Sequence, residues 1–263
     1  MSMEDLRITF IQSPLQWEDP EANRKQFGEK INSLSQPTDL ILLPEMFSTG
    51  FSMQASALAE DMNGATVMWM KEMAAAQNCT LCGSLILSDN GNYYNRLIWM
   101  RPDGTFLTYD KRHLFRLAEE QKTYSPGTQK IIPSIKGWKI LPLVCYDLRF
   151  PVWSRRTKNE NYDLLVYVAN WPDRRIRAWN TLLPARAVEN QCYVAGLNRV
   201  GDDGNGISHS GCSAAYDASG ESLWTAEPAT ECIQTITLSA EALQKYRRMF
   251  PFDRDADGFS IQI

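Results

Sequence analysis

Residues 140–151, ILPLVCYDLRFP, form a short apolar run that stops abruptly at Cys145. The run is typical of a strand buried on both faces, and the Phe-Pro step that follows is typical of a helix beginning with Pro151 near its first position. We expect the nearby helix N-terminus to favour the thiolate of Cys145, which is the form that attacks carbon. A cysteine at a strand end is nevertheless more often inert packing than a nucleophile, so its role depends on the rest of the chain.

Two other predicted strand ends carry groups that would complement a cysteine. LILLPE (residues 40–45) places Glu45 just beyond four apolar residues, and YDKRHLF (residues 109–115) places Lys111 just after a short strand. Ligands gather at the carboxyl ends of strands in open α/β sheets. Taken singly, Glu45 could be a solvated loop carboxylate and Lys111 could be a surface lysine. Together with Cys145 they would supply a general base, a cation for a developing oxyanion and a nucleophile.

These three segments resemble the signature blocks of the nitrilase superfamily of carbon–nitrogen hydrolases, which use a Glu-Lys-Cys triad. The family pattern falls on Glu45, Lys111 and Cys145. It also marks a second catalytic glutamate seven residues before a glycine, and Glu120, which precedes Gly127 by that spacing, matches it. The resemblance extends from residue 6 to about residue 250.

The resemblance implies a mechanism. Cys145 would attack an amide carbonyl while Glu45 takes its proton, and the oxyanion would be met by Lys111 and by the backbone N–H of Tyr146. Ammonia would leave, and water, activated by Glu45 or positioned by Glu120, would then release the acid from a thioester. The implied chemistry needs no metal and no organic cofactor.

Hydrophobic periodicity predicts alternating strands and helices with some antiparallel hairpins. The predicted strands lie at about residues 6–11, 40–43, 79–87, 94–100, 105–109, 138–145, 164–169, 192–198, 212–217 and 232–238. The predicted helices begin at Pro20, at about residue 66, at about residue 174 and at about residue 240. Residues 201–211 are interpreted as a mobile, glycine-rich connection. Periodicity alone is compatible with one doubly wound sheet, whereas the resemblance implies a four-layer α-β-β-α sandwich formed by a single domain over residues 1–263.

Around the cysteine, the sequence most closely resembles bacterial omega-amidases, which hydrolyse the terminal amide of 2-oxoglutaramate and 2-oxosuccinamate. Arg149 corresponds to an arginine that relatives use on the substrate carboxylate, although an ion pair with Asp147 or Glu189 is the alternative. Three aromatic residues are predicted to flank the pocket, and each could instead belong to the core. They are Phe47, Phe51 and Trp171.

Two positions depart from the family pattern. Many nitrilase-type enzymes have a glutamate after the Phe-Pro step, where this chain has Val152. Pro184 lies inside the helix predicted from residue 174, where it removes a hydrogen bond to Asn180 and is expected to kink the helix. These departures bear mainly on substrate specificity.

The composition of the chain limits the kinds of partner that we expect this protein to have. The 263 residues carry a net charge of −4, with none of the basic excess of a nucleic-acid-binding domain. No apolar stretch approaches the roughly 20 residues of a membrane helix, and no signal-peptide pattern is present, so we expect a cytoplasmic protein with reduced cysteines. Cys79 and Cys82 form a lone Cys-x-x-Cys, interpreted as packing rather than a zinc site. The aromatic residues of the tail (residues 250–263) are expected to lie at the interface of a homodimer.

Other readings of the same residues stay open. Within the superfamily, the chain could be a nitrilase, a carbamoylase or a general aliphatic amidase. A cysteine–histidine hydrolase could pair Cys145 with His113 or His209. A non-catalytic binding protein is the third class, and the complete triad argues against it.

Overall fold

The computed structural model describes residues 3–262, which form two six-stranded β-sheets and a separate hairpin. Strands are numbered along the chain. In spatial order, the first sheet contains β14 (Cys232–Leu238), β1 (Leu6–Gln12), β2 (Leu40–Leu42), β3 (Thr80–Asp89), β4 (Asn92–Met100) and β5 (Phe106–Asp110). The second contains β13 (Ser222–Thr225), β12 (Ala214–Tyr216), β9 (Tyr193–Asn198), β8 (Leu164–Ala169), β7 (Trp138–Val144) and β6 (Ser134–Ile135).

Each sheet has three parallel strands at its centre. They are β1, β2 and β3 in the first sheet and β7, β8 and β9 in the second, and the remaining neighbours are antiparallel. The carboxyl ends of β2, β5 and β7 lead directly into the segments that carry Glu45, Lys111 and Cys145. The three predicted catalytic residues therefore follow strand ends, as the sequence indicated.

Helices cover the outer faces of both sheets. They are α1 (Pro20–Asn32) and α3 (Ala65–Gln77) on the first sheet and α5 (Ile176–Asn190) on the second, and the remaining helices are α2 (Ala55–Leu58), α4 (Pro151–Ser154) and α6 (Ala240–Met249). In β2, Leu40 and Leu42 join the core shared with the second sheet, whereas Ile41 packs with residues of α1 and α3. On the second sheet, α5 contributes Trp179 and Leu183 to the apolar core. The architecture is the predicted four-layer α-β-β-α sandwich.

One local expectation is corrected. The glycine-rich residues 201–211 contain an antiparallel hairpin, β10 (Val200–Asp202) and β11 (Ser208–Ser210), rather than an irregular connection. The Asp203 carboxylate closes its turn by accepting the backbone N–H groups of Asn205 at 2.8 Å and Ile207 at 2.9 Å. Pro184 lies inside α5, which is one helix from Ile176 to Asn190, and the kink expected there stays a prediction.

None of the described helices is both long and apolar enough to cross a membrane. The last described residues follow α6 and include a short turn of 3₁₀ helix at Phe252–Asp255. Three tail phenylalanines are substantially exposed, at 39% for Phe250, 59% for Phe252 and 46% for Phe259. In this single chain, they leave an apolar surface open to solvent.

Gly127 sets the path of the chain beside Lys111. Its backbone N–H donates to the Lys111 carbonyl at 3.0 Å, and the Lys111 N–H donates to the Asn95 carbonyl at 2.9 Å. A Cβ atom at Gly127 would lie 2.1 Å from the Asp110 carbonyl oxygen, closer than any real contact allows. The loop can therefore close on the end of β5 only if this residue lacks a side chain.

Gly127→Ala should lower the free energy of unfolding by about 1–3 kcal/mol, because either the loop or the end of β5 must move. Gly28→Ala is the matched control. Gly28 lies within α1, and a Cβ atom there would lie 3.6 Å from the nearest neighbouring atom. That change should be neutral or stabilising by roughly 0.5–1 kcal/mol. Urea unfolding of both variants measures the difference, and equal midpoints would contradict the close-approach argument.

Candidate active site

Cys145 lies at the first position after β7, in a turn of 3₁₀ helix that covers Cys145–Arg149. Its φ is +43°, in the left-handed region that a side chain rarely adopts and that costs of order 1–3 kcal/mol. The buried Asp147 carboxylate holds this turn: it accepts the Val144 N–H at 3.1 Å and the Tyr109 hydroxyl at 2.7 Å. It also accepts the His113 backbone N–H at 3.0 Å. The strained backbone at the thiol is thus fixed from three directions.

Glu45 is completely buried rather than solvated. One carboxylate oxygen accepts from the Lys111 ammonium at 2.8 Å and from the Asn95 side-chain amide at 2.8 Å. The other oxygen accepts the backbone N–H of Asn170 at 2.9 Å, and the Asn170 side chain binds the Glu45 carbonyl. Both carboxylate oxygens therefore have fixed positions, as a proton carrier requires.

Lys111 bridges two buried carboxylates. Besides Glu45, its ammonium donates to both oxygens of Glu120, at 3.0 and 2.9 Å. Glu120 also accepts the Phe115 backbone N–H at 2.5 Å, which ties the loop after Lys111 to the cluster. Glu120 lies behind the ammonium and is not part of the cavity wall, whereas Lys111 and Glu45 are.

Burial and charge together determine the protonation states of the site. Burial alone would lower the pKa of Lys111, but Glu120 and Glu45 outweigh it and raise the pKa above its ordinary value. Burial raises the pKa of Glu120, against the opposing effect of Lys111. Burial, and to a smaller extent the charge of Glu45, raises the pKa of the Cys145 thiol well above its usual range. The Lys111 ammonium opposes this shift.

The expectation of a Cys145 thiolate is therefore wrong. The turn after the cysteine is a 3₁₀ segment of five residues, too short for a helix dipole to offset burial next to a carboxylate. Because the resting thiol keeps its proton, attack on carbon requires transfer of that proton to a neighbouring base. Glu45, which perturbs the Cys145 pKa both through its charge and through a hydrogen bond, is placed to take it.

A cavity of about 180 Å³ opens in front of Cys145. Its wall includes the predicted residues Phe51, Tyr146, Arg149 and Trp171. It also includes His209, which only the cysteine–histidine alternative named, and residues that were not predicted as site residues, namely Phe115, Leu117, Ala118, Asn170, Pro172, Arg174, Arg175, Asp203 and Ile207. The cavity gives a small molecule room beside the thiol and Lys111.

Three arginines stand on this wall. The guanidinium of Arg149 lies 5.0 Å from the ring centre of Trp171, and that of Arg175 lies 4.6 Å from the ring centre of Phe115. Within residues 3–262, none of Arg149, Arg174 and Arg175 forms an ion pair. The alternative structural role of Arg149 is not observed, because Asp147 bonds to Tyr109 and His113, and Glu189 pairs with Arg186.

Phe47 is not part of the cavity, contrary to the prediction. It is fully buried under α1 and α3, with its ring centre 5.6 Å from that of Phe27 and 5.7 Å from that of Trp69. The reason is local: β2 ends at Leu42 and residues 45–49 form a turn, so strand alternation does not hold Phe47 on the same face as Glu45. We therefore assign Phe47 to the core.

Three positioning residues escaped the sequence analysis. Asn170 follows the apolar strand β8 directly, so the rule that singled out Glu45 and Lys111 could have found it. Asp147 lies two residues after the cysteine, and nothing local distinguishes it from a solvated turn residue. Asn95 lies inside β4, and only its contacts with Glu45 and Glu120 reveal it.

The histidines do not form a pair with Cys145. His113 shares a hydrogen bond with Asp147 at 2.8 Å, and its ring stacks on Phe150 with centres 3.7 Å apart. His209 lies on the cavity wall, and its ring nitrogen Nδ1 is buried without a partner among the residues that the structure describes. Across residues 3–262, no group of three His, Cys, Asp or Glu side chains is placed to hold a metal ion.

Comparison with known proteins agrees with this geometry. The model of the carbon–nitrogen hydrolase family matches residues 7–248. The chain belongs to that family. This carbon–nitrogen hydrolase is 46% identical to omega-amidase YafV of Escherichia coli (strain K12) over 98% of its own length and 100% of that protein. It is 32% identical to a 2-oxoglutaramate amidase of Bacillus subtilis, over 74% of its length and 77% of that protein.

Among solved structures, it is similar to a CN-hydrolase superfamily protein from Xanthomonas campestris that carries an arsenic adduct in its active site. The TM-score is 0.96 at 44% identity, and the match covers 99% of this chain and 100% of the other. The family and these relatives establish a hydrolase that acts on carbon–nitrogen bonds, an amidase of the nitrilase superfamily.

Lys111→Met would leave Glu45 and Glu120 as two buried carboxylates without the cation between them. At pH 8, we expect a loss of about 3–5 kcal/mol in the free energy of unfolding. Without Lys111 the pKa of Glu120 should rise further. A carboxyl whose pKa is higher in the folded than in the unfolded state favours folding at low pH and loses that contribution as pH rises through the folded value.

The deficit of Lys111→Met should therefore shrink between pH 8 and pH 5, as urea unfolding at both values would show. Lys122→Met is the control, because its ion pair with Glu119 is 65% exposed on both sides. That pair should contribute no more than about 1 kcal/mol, with little pH dependence. A Lys111→Met deficit that stays constant or grows toward pH 5 would contradict the bridging role.

Proposed function

We propose that this amidase hydrolyses the terminal amide of a short 2-oxo dicarboxylic acid monoamide, such as 2-oxoglutaramate or 2-oxosuccinamate, to the 2-oxo acid and ammonia. The observation that carries the proposal is the group of cavity arginines without ion-pair partners, on the same wall as Cys145. Burial and then Arg174 lower the pKa of Arg175, with Arg149 adding to the effect, so the guanidinium groups lie close enough to repel one another. A substrate carboxylate would relieve that repulsion through charge-assisted hydrogen bonds.

The size of the cavity supports a short substrate. About 180 Å³ suits a chain of a few carbons, with the amide at Cys145 and the carboxylate at the arginines. The printed names of the relatives, omega-amidase and 2-oxoglutaramate amidase, describe substrates of this kind. Arg149, stacked on Trp171, is the arginine that we assign to the carboxylate, with Phe51 completing the apolar wall beside Lys111.

In the proposed acylation step, the Cys145 sulfur attacks the amide carbon as its proton passes to Glu45. The oxyanion that forms is met by the Lys111 ammonium and by the backbone N–H of Tyr146. The carbonyl group is neutral in the ground state, so these donors stabilise mainly the charge that develops in the transition state. The role of Glu120 is to hold the ammonium from behind.

In the second half of the cycle, Glu45 returns the proton to the leaving nitrogen, the carbon–nitrogen bond breaks, and ammonia departs. The acyl group remains on Cys145 as a thioester. Glu45 then takes a proton from a water molecule that attacks the thioester carbon. The collapse of the second tetrahedral intermediate returns the proton to sulfur and releases the acid.

A further proposal concerns assembly. We propose that the tail (residues 250–263, described up to residue 262) lies at the interface of a homodimer. The exposed rings of Phe250, Phe252 and Phe259 support it, because apolar side chains of this size gain free energy when a second surface covers them.

Cys145→Ser should abolish turnover, reducing kcat by at least about a thousandfold, because a serine hydroxyl ionises far less readily than a thiol and lacks a partner histidine here. Cys232→Ser on β14 is the control and should keep its activity. Ammonia release measures turnover, and mass spectrometry of the quenched enzyme locates the acyl group. An adduct on a different cysteine would overturn the assignment of the nucleophile.

Arg149→Lys tests the substrate. A point charge cannot reproduce the bidentate fork of a guanidinium, and a lost buried charge contact costs about 2–5 kcal/mol, so kcat/KM for 2-oxoglutaramate should fall more than tenfold. Pentanamide, a neutral amide of the same length, should be a poor substrate of the parent enzyme and nearly insensitive to the change. Arg177→Lys, on the exposed side of α5, is the control. If both substrates decline equally, Arg149 maintains the fold and does not bind the carboxylate.

A further inference from the structure

His209 is a polar group on the cavity wall to which the proposed mechanism gives no role. It lies on β11, and its residue is only 5% exposed. The structure pairs its Nδ1 with no donor or acceptor in residues 3–262. Nδ1 itself is out of contact with solvent, so a ligand in the cavity meets the part of the imidazole that borders the cavity.

The position of His209 places it at the carboxylate end of the proposed substrate. Its strand packs against the turn of Asp173–Arg175, which carries two of the three cavity arginines. Ile207 and Asp203 from the same hairpin line the cavity next to it. The imidazole therefore lines the same cavity as these cations.

The imidazole is uncharged at neutral pH. Burial lowers the pKa of His209 to about 4, and Arg199 lowers it further, while Asp203 and the carbonyls of Gly201 and Ile207 oppose the shift only in part. A neutral imidazole offers one N–H donor and one acceptor. It suits a neutral oxygen better than a carboxylate, for which the cavity already provides guanidinium groups.

We propose that His209 is a specificity-determining residue, whose imidazole hydrogen-bonds to the oxygen on the carbon next to the substrate carboxylate. The inference rests on the proposed function and adds to it the selection of a 2-oxo acid amide over the same amide without the oxygen. A site built to hydrogen-bond a substrate oxygen rejects the analogue that lacks it, because its own polar group then stays unpaired. An amino group at that carbon would bring an ammonium beside the arginines, which repel it.

The test compares 2-oxoglutaramate with glutaramate, the same five-carbon monoamide without the 2-oxo group. In His209→Phe, which keeps a ring but removes both nitrogens, kcat/KM for 2-oxoglutaramate should fall about tenfold. The value for glutaramate should change less than twofold. Ser208→Ala, an exposed position on the same strand, is the control for disturbance of the hairpin and should leave both values unchanged.

A second measurement uses the unmodified enzyme and needs no folded variant. Inhibition by 2-oxoglutarate should be about tenfold tighter than inhibition by glutarate, since the two diacids differ only in that oxygen. Equal inhibition constants, or an equal loss on both amides in His209→Phe, would overturn the role of His209 and leave the amidase proposal intact. If the parent enzyme instead prefers pentanamide to both monoamides, the proposed function fails, and the role of His209 fails with it.

Discussion

The site depends on one arrangement of charge: the Lys111 ammonium held between the Glu45 and Glu120 carboxylates, all three out of contact with water. Moving any one of these groups from water into the interior alone would cost several kcal/mol. Each is therefore acceptable only while the other two are present with their hydrogen bonds made. The Asn95 side-chain amide donates hydrogen bonds to both carboxylates and so satisfies part of their remaining capacity to accept them.

The sandwich makes that arrangement possible because it brings strand ends from both sheets to one place. The first sheet provides Glu45 and Lys111, and the second provides Cys145 and Asn170. The N–H of Asn170, just beyond β8, reaches across to the carboxylate of Glu45 and couples the two sheets at the site. Residues that are far apart in the sequence thus share one buried hydrogen-bond network. Breaking that network would disturb the packing of both sheets.

Protonation follows from the same burial. A cysteine that is buried next to a carboxylate keeps its proton, so this site contrasts with hydrolases that store a thiolate beside a cationic histidine. The opposing charge lies on the wall of the same cavity, where guanidinium groups have no carboxylate partner in the described chain. The cavity therefore combines a proton acceptor, Glu45, with a group of arginines that can accept an anion.

The sequence by itself determined the strands and their ends, because a buried strand appears in the sequence as a short run of apolar residues with a sharp end. The strands at residues 164–169 and 232–238 have the predicted bounds, and Glu45, Lys111 and Cys145 follow strands as expected. Only the tertiary structure decided the contributions of Asn95, the core position of Phe47 and the protonation of Cys145. A mid-strand amide has no local signature, the turn at residues 45–49 ends the strand alternation before Phe47, and a pKa depends on neighbours that are distant in sequence.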